Sequence, residues 1–316
     1  MKLIIQIPCY NEEGTLPITV ADLPRHIEGI DIIEYLIIND GSKDRTVEVA
    51  REIGVHHIVS FKANRGLAAG FTAGLDTCLK LGADVIVNTD ADNQYCGADI
   101  EKLIVPILKG LADIVIGERP IDETEHFSPL KKRMQKVGSL VVRMASGTDI
   151  PDAPSGFRAY SREAALRLNV INTYTYTLET IIQAGHNRIP ILSVSIRTNP
   201  ETRESRLFKS MSSYIRRSMT VILRAFMMYK PLKFFSFLGG AVSVIGLVFI
   251  IRWLVFVVQG HGSGNIQSLV FAAMLIMVGV QLIIAGLLAD IIAANRKILE
   301  DIQYRVRKTD CLDNKD

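Results

Sequence analysis

A chain of 316 residues has room for about two domains of ordinary size. Hydrophobic residues make up 48% of it and charged residues 22%, with a mean hydropathy of +0.24; this excludes a disordered or fibrous chain and leaves an apolar surplus to be placed. The net charge of +3 hides an asymmetry: residues 1–200 carry 21 basic and 25 acidic side chains, whereas residues 201–316 carry 15 and 8.

Nothing at the N-terminus resembles a signal peptide, because Lys2 is followed directly by Leu3-Ile4-Ile5-Gln6-Ile7-Pro8, too short for an apolar h-region. Strands are predicted at Leu3–Ile7, Tyr35–Ile38, His57–Phe61, Val85–Asn88 and Ile114–Ile116. Helices are predicted between them, over Thr15–Ile27, Asp44–Ile53, Gly66–Leu81 and Ala98–Leu108. Strands alternating with helices imply an α/β domain with an open, mostly parallel sheet. Gly66, Gly70 and Gly74 recur every four residues, which reads as one helix face packed closely on that sheet, with Gly66 also placed to let a ligand approach. The four cysteines Cys9, Cys78, Cys96 and Cys311 have no paired spacing, which argues against a disulfide framework or a zinc ribbon.

Open α/β sheets bind ligands beyond the carboxyl ends of their strands, and polar clusters follow four of the predicted strands. They are Pro8-Cys9-Tyr10-Asn11-Glu12-Glu13, Asn39-Asp40-Gly41-Ser42-Lys43-Asp44-Arg45-Thr46, Thr89-Asp90-Ala91-Asp92-Asn93-Gln94 and Gly117-Glu118-Arg119. Each has a bland reading as a turn or helix cap, but together they converge chemically. Asp90 and Asp92 with the Gln94 carbonyl offer hard oxygen donors for Mg²⁺ or Mn²⁺, and such an ion neutralises a diphosphate. Tyr10, Glu12, Asn39 and Asp40 offer an aromatic face and acceptors for a base and ribose, and Arg119 suits a phosphate. P-loop and dinucleotide-binding glycine motifs are absent. The stretch Asp152–Arg158 reads either as an acceptor-contacting loop or as a proline turn, and Glu179, after Tyr174 and Tyr176, reads either as one half of a structural ion pair or as a base.

The second part of the chain is different. Phe234–Val258 holds 19 hydrophobic residues among 25 with one charge, Arg252, and Leu269–Ile292 holds one charge, Asp290. About 20 residues at ~1.5 Å each cross a ~30 Å hydrocarbon core, so both segments are candidate transmembrane helices. Arg252, beside Trp253 near the outer end of the first span, is expected to snorkel to the interface or to pair with a partner inside the bundle. The link 259–268 has no Lys or Arg, whereas Arg216, Arg217, Arg224, Lys230 and Lys233 precede the first span and Arg296, Lys297, Arg305, Arg307 and Lys308 follow the second. The positive-inside rule then puts both termini and the N-terminal domain in the cytoplasm. Ser213–Tyr229 mixes bulky apolar and basic residues and reads as an interfacial helix against anionic headgroups.

At these residues the sequence resembles the family 2 glycosyltransferases of GT-A (Rossmann-like) fold, and within them the polyprenyl-phosphate hexosyltransferases such as dolichyl-phosphate mannose synthases and bactoprenyl-phosphate glucosyltransferases. The motifs carrying it are Pro8–Glu12, Asn39–Thr46, Asp90–Gln94, Gly117–Arg119, Ser155-Gly156-Phe157-Arg158, Arg203–Leu207 and the terminal hairpin. The resemblance implies that Pro8, Tyr10, Glu12, Asn39, Asp40, Gly66 and Asp90 hold a nucleotide-sugar, and that Asp90, Asp92 and Gln94 hold Mg²⁺ or Mn²⁺ and the diphosphate. Arg119 and Lys132 then face the reacting phosphates, Arg197 or Arg203 closes over the site, and Ser155, Arg158 and Arg206 meet the acceptor. The implied division is a cytoplasmic catalytic domain at 1–205, interfacial helices at 206–233, spans at 234–258 and 269–293 joined by an outer loop at 259–268, and a cytoplasmic tail at 294–316.

Many relatives carry two aspartates where this chain has Asn39-Asp40, so the base, uracil or guanine, stays open. Processive synthases of this fold carry Gln-x-x-Arg-Trp, and the only Trp here is Trp253, which favours a single transfer. The expected reaction moves one hexose, with inversion, from a UDP- or GDP-sugar to polyprenyl phosphate in the cell membrane. No nucleic-acid partner is expected. A homo-oligomer such as a tetramer is, because two helices enclose a lipid poorly. The competing readings are an inactive membrane scaffold and a membrane-tethered nucleotidyltransferase.

Overall fold

The computed structural model describes residues 1–120, 129–171, 175–200, 219–220, 223–224, 227–260 and 266–313, with the side chains of 129–137 and 312–313 left aside. It forms two compact units, Met1–Ile222 with Glu300–Asp316, and Leu223–Leu299.

In the first unit, seven strands among the described residues make one sheet: β1 (Lys2–Cys9), β2 (Ile32–Asn39), β3 (His57–Ser60), β4 (Val85–Asn88), β5 (Ile114–Glu118), β6 (Arg158–Ser161) and β7 (Ile191–Ser195), in the order β3-β2-β1-β4-β6-β5-β7. Only β6 runs against its neighbours. The central strands are near-continuous apolar runs because both faces are covered. Leu3, Ile4, Ile5, Leu36, Ile37, Ile38, Val85, Ile86, Val87 and Ile114–Ile116 are fully buried.

The helices are α1 (Leu16–Asp22), α2 (Thr46–Glu52), α3 (Leu67–Lys80), α4 (Ile100–Leu108), α5 (Pro129–Ser146), α6 (Arg162–Arg167) and α7 (Thr177–Asn187). Helix α1 stops short of the predicted Ile27: Leu23, which precedes Pro24, is extended with φ −72° and ψ 141°, as a residue before proline prefers. The α3 glycine face packs as expected. A Cβ at Gly74 would collide with the Gln6 side-chain oxygen and lie 3.0 Å from Ile38.

Strand register determines what the sheet presents. Cys9 lies opposite Asn39, and Gln6 opposite Asn88, so the chain leaves β1, β2 and β4 along one edge. Arg158 is opposite Asn88 on one side and Ile116 on the other. Because β6 is antiparallel, its start, Ser155-Gly156-Phe157, reaches the same edge. Strands β6 and β7 are additions to the five predicted.

The second unit contains α8 (Pro231–Val258) and α9 (Ile266–Asp313) up to Leu299, both long and apolar enough to cross a membrane. Their packing relies on small residues, which let backbones approach closely. A Cβ at Gly239 would lie 2.5 Å from the Gly279 carbonyl, one at Gly246 2.9 Å from Ile276, and one at Gly286 2.8 Å from Phe235. Outward-facing Phe237, Val244, Val258, Ile291 and Ile292 are exposed apolar residues, as a lipid-facing surface requires. Arg252 is exposed and lies over the Phe256 ring. Most of the predicted interfacial helix Ser213–Tyr229 lies outside the described residues.

From Glu300 onward α9 belongs to the first unit, where it docks on α6. Tyr304 donates to Glu163 (3.0 Å), Arg167 lies over the Tyr304 ring, and Arg307 donates to the Leu168 carbonyl (2.7 Å) and pairs with Asp76 (3.1 Å). The tail is therefore an integral part of this unit.

Candidate active site

The loops after β1 and β2 are stitched to each other. The Asn11 amide donates to Ser42 Oγ (2.9 Å), Asn11 Oδ1 accepts the Lys43 amide (2.8 Å), the Glu12 amide donates to Thr46 Oγ1 (2.9 Å), and Glu13 accepts the Arg45 amide (2.9 Å). They line a cavity of about 590 Å³ formed by Asn11–Thr15, Lys43 and Asp44. Pro8 is the next-to-last residue of β1, Tyr10 is exposed, and Glu12 is buried and accepts from Thr15 Oγ1 (2.7 Å).

Asn39 and Asp40, expected at the nucleotide, are buried and already engaged in hydrogen bonds that shape the neighbouring loops. Asn39 accepts the Ser42 amide (2.9 Å) and donates to Ser60 (3.3 Å). The Asp40 carboxylate accepts the Arg65 amide (2.6 Å) and the Gly66 amide (2.9 Å). Gly66 sits at φ +89° and ψ 162°, a region essentially reserved for glycine. Its identity thus follows from the turn that starts α3.

After β4, Asp90 and Asp92 are both partly exposed. Thr19 on α1 holds the Ala91 carbonyl (2.9 Å), and Asp92 accepts the Gln94 amide (3.3 Å). Asn93 between them is left-handed, φ +56°, a conformation asparagine tolerates better than most residues. The Asp90 carboxylate lies against Gly156, where a Cβ would come within 3.1 Å of it and 3.2 Å of the Tyr176 hydroxyl. Behind it runs a buried chain of amides and hydroxyls: Gln6 donates to Asn88 (2.9 Å), and Asn88 donates to the Gly156 carbonyl (2.9 Å) and to Tyr176 Oη (2.8 Å). Tyr176 stacks on Phe71, and Tyr95 stacks on Phe157 while accepting the Gly156 amide (3.2 Å).

Negative charge gathers here. Burial first, then Glu12, Asp44 and Asp90, raise the Cys9 thiol well above its usual range, so it stays protonated. Burial, reinforced by Asp90, does the same to the Tyr176 phenol. Among the described residues no three His, Cys, Asp or Glu side chains group to hold a metal ion. Asp90, Asp92 and Gln94 instead supply a partial set of oxygen donors. That suits Mg²⁺ or Mn²⁺, which keep several water and phosphate ligands and need only one or two carboxylates. The donors fit an ion shared with a diphosphate and do not fit an all-protein cage.

Arg119, just beyond β5, forms a forked pair with Asp152: Nε to Oδ2 2.7 Å and Nη2 to Oδ1 2.9 Å, with its own amide 3.2 Å from Oδ2. Asp152 is fully buried and the Arg119 side chain is 15% exposed. Burial alone would lower the Arg119 pKa, but the charge of Asp152, with Tyr95 and Asp90, raises it, so the cation is locked in.

Two expectations change. Arg158 does not face an acceptor. It is fully buried and spends its donors on Ser155 O (2.7 Å), Thr177 O (2.9 Å), Thr180 Oγ1 (2.7 Å) and Ala153 O (2.8 Å), pinning the 153–155 loop to α7. Arg197, expected to close over the site, is tied to Asp99 instead. Its guanidinium reaches Asp99 Oδ1 (2.7 Å) at the foot of α4 and holds that buried carboxylate down to about 2, against the opposing effect of burial. Glu179, read as one half of an ion pair or as a base, is buried on α7 and accepts the Ile171 amide (3.3 Å). Ser155 is fully buried, and its hydroxyl has no hydrogen-bond partner among the described residues. Lys132 lies on α5, with its side chain outside the described residues, as are Arg203 and Arg206 altogether. Asn88 and Tyr176 are additions to the predicted site, the signal for Asn88 being a polar residue closing an apolar strand; Asp152 and Gly156 lie in the stretch Asp152–Arg158 already singled out in the sequence.

The model of Glycosyl transferase family 2 matches residues 4–168. A UDP-N-acetylglucosamine–dolichyl-phosphate N-acetylglucosaminyltransferase of Methanococcus voltae is 31% identical over 220 residues, 62% of this chain and 86% of that protein. A polyprenol monophosphomannose synthase of Mycolicibacterium smegmatis is 28% identical over 229 residues, 69% and 84% of the two chains. An undecaprenyl-phosphate 4-deoxy-4-formamido-L-arabinose transferase of Salmonella choleraesuis is 26% identical over 320 residues, and that match spans 97% of this chain, apolar helices included, and 91% of the relative. Among solved structures, glucosyl-3-phosphoglycerate synthase of Mycobacterium tuberculosis, crystallised with Mn²⁺, UDP and glucosyl-3-phosphoglycerate, superposes with a TM-score of 0.54 at 17% identity, over 72% of this chain and 78% of that one. The mostly parallel sheet with its one reversed strand is thus the GT-A fold, and the chain belongs to glycosyltransferase family 2.

Proposed function

We propose that this glycosyltransferase moves one hexose from a nucleotide diphosphate sugar to a polyprenyl phosphate, with inversion, at the cytoplasmic face of the membrane. The observation that carries the reading is the set of oxygen donors at Asp90, Asp92 and Gln94 beside the Arg119–Asp152 pair, in a chain with two membrane-length apolar helices. The activities for which three relatives are named, all transfers to or syntheses of polyprenyl-phosphate sugars, support the acceptor class.

A bound Mg²⁺ or Mn²⁺ supplies charge neutralisation for the donor diphosphate. Asp90 and Asp92 would hold it, with Gln94 beside them. The cavity along Asn11–Thr15 would take the nucleoside, with Pro8, Tyr10 and Glu12 at its edge and Asn39, Asp40 and Gly66 shaping the neighbouring loops. Arg119 would stabilise charge developing on the leaving phosphate, joined by Lys132 and, as the loop closes, Arg203. Ser155 and Arg206 would border the acceptor. A phosphate monoester is already largely dianionic at neutral pH, since its second pKa is about 6. The chain's work is therefore positioning and electrostatics rather than proton abstraction.

Basic residues flanking the spans and their absence from 259–268 support cytoplasmic termini. The domain limits proposed are those read above, and a homo-oligomer would complete the enclosure of the lipid. The test is to incubate membranes containing the protein with a panel of labelled nucleotide-sugars and polyprenyl phosphate. Metal-dependent label in lipid supports the reading. Pyrophosphate release would indicate nucleotidyl transfer, and neither product would indicate a scaffold.

A further inference from the structure

The residues that follow β7 run back across the loop carrying Asp92 and Gln94. Thr198 bridges to Tyr95 in the antiparallel sense, and the Cys96 amide donates to the Arg197 carbonyl (3.4 Å). Asn199 then serves three consecutive carbonyls. Its amide N–H donates to Gln94 O (2.9 Å), and its side-chain Nδ2 donates to Asn93 O (3.1 Å) and Tyr95 O (3.3 Å). The strap's origin is fixed as well, because the Arg197 amide and guanidinium both bind the buried Asp99 carboxylate (2.6 Å and 2.7 Å).

We infer that Asn199 is a positioning residue for the ion-and-diphosphate loop, clamping Asn93–Tyr95 from outside the motif. This rests on the proposed role of Asp92 and Gln94. Asn93 is left-handed, so the turn holds its shape only while its neighbours over-determine it. Nδ2 supplies that constraint from a point about 100 residues along the chain, a separation given by positions 93 and 199. Without it the two carbonyls turn to water, and the loop must be ordered at the moment the ion binds, which weakens binding. Each lost hydrogen bond is a modest effect, and two together give roughly a tenfold change.

The test uses the full-length protein in detergent. Mn²⁺ is titrated in the presence of UDP or GDP and free ion is counted by electron paramagnetic resonance. Asn199→Ala removes the clamp, and Asn199→Asp keeps the size but loses the donors. Thr198→Ala, at an exposed position bridged through its backbone, is the comparison. We expect about tenfold weaker Mn²⁺ binding in both Asn199 variants, none in T198A, and recovery of kcat at saturating Mn²⁺. Unchanged Mn²⁺ affinity in N199A and N199D overturns the clamp alone. So does a loss of kcat that saturating Mn²⁺ does not restore. Failure of the wild type to bind Mn²⁺ with either nucleotide overturns the metal reading, and the clamp with it.

Discussion

Replacing Arg119 by alanine strands a fully buried carboxylate. Asp152 loses two charge-assisted bonds of 2.7 and 2.9 Å and keeps the residue-119 amide at 3.2 Å. Breaking a buried pair from one side costs about 3–5 kcal/mol, because the remaining charge is uncompensated. For a unit of this size each kcal/mol is worth about 2–4 °C, so the melting temperature should fall by roughly 6–20 °C. The double variant Arg119→Ala with Asp152→Ala removes the stranded charge and should recover most of that loss, leaving a coupling energy of about 2 kcal/mol or more. Thermal unfolding of the four proteins in one detergent, followed by circular dichroism, gives the cycle. If Arg119 also acts on the leaving phosphate, the double variant regains stability without regaining transfer. A coupling below about 0.5 kcal/mol would refute the claim that the two charges depend on each other.

Three further predictions concern other parts of the same unit. Asp92→Asn should lower transfer at least ~100-fold with little change in melting temperature, and full activity would remove Asp92 from the ion site. Gly66→Ala forces a methyl into a backbone at φ +89°; it should cost about 1–3 kcal/mol, read as a drop of roughly 2–12 °C. Asp99 titrates at about 2 in the folded chain, below the ~3.9 of an unfolded aspartate, so its contribution is complete above about pH 4 and lost as pH falls toward 2. The shift corresponds to about 2.5 kcal/mol, and the melting-temperature gap between wild type and Asp99→Asn should close over that window; a constant gap would contradict the assignment.

What could be read from the chain alone depended on how each residue is buried. β1, β2, β4 and β5 were legible because both faces are covered, which leaves unbroken apolar runs. β6 was not. Its four residues, Arg158-Ala159-Tyr160-Ser161, include a buried arginine whose charge is satisfied by carbonyls of residues 153, 155 and 177. Charge pointed outward, whereas hydrogen bonds to the preceding loop and to α7, about 20 residues on, hold it inside. β7 is a half-buried edge strand and has no clean alternation.

The acidic and basic clusters were legible because this fold gathers strand ends. Their partners were not, since Asp152 lies 33 residues from Arg119 and Asp99 lies 98 from Arg197. Gly156 was legible only as part of the Asp152–Arg158 stretch, because it precedes an antiparallel strand, while the rule applied was to search after parallel ones. The docking of Tyr304 and Arg307 on α6 escaped too: a basic tail reads first as a membrane-facing flank.

The central claim is a single sugar delivered to a lipid phosphate. Purified protein in proteoliposomes with polyprenyl phosphate, Mn²⁺ and each of a panel of UDP- and GDP-sugars, followed by mass spectrometry of the extracted lipid, tests it directly. The account predicts one product, the polyprenyl phosphate increased by one hexose, formed with release of nucleoside diphosphate and abolished by chelation. A ladder of added sugars, a nucleotidyl-lipid with pyrophosphate, or unmodified lipid with every donor would contradict it.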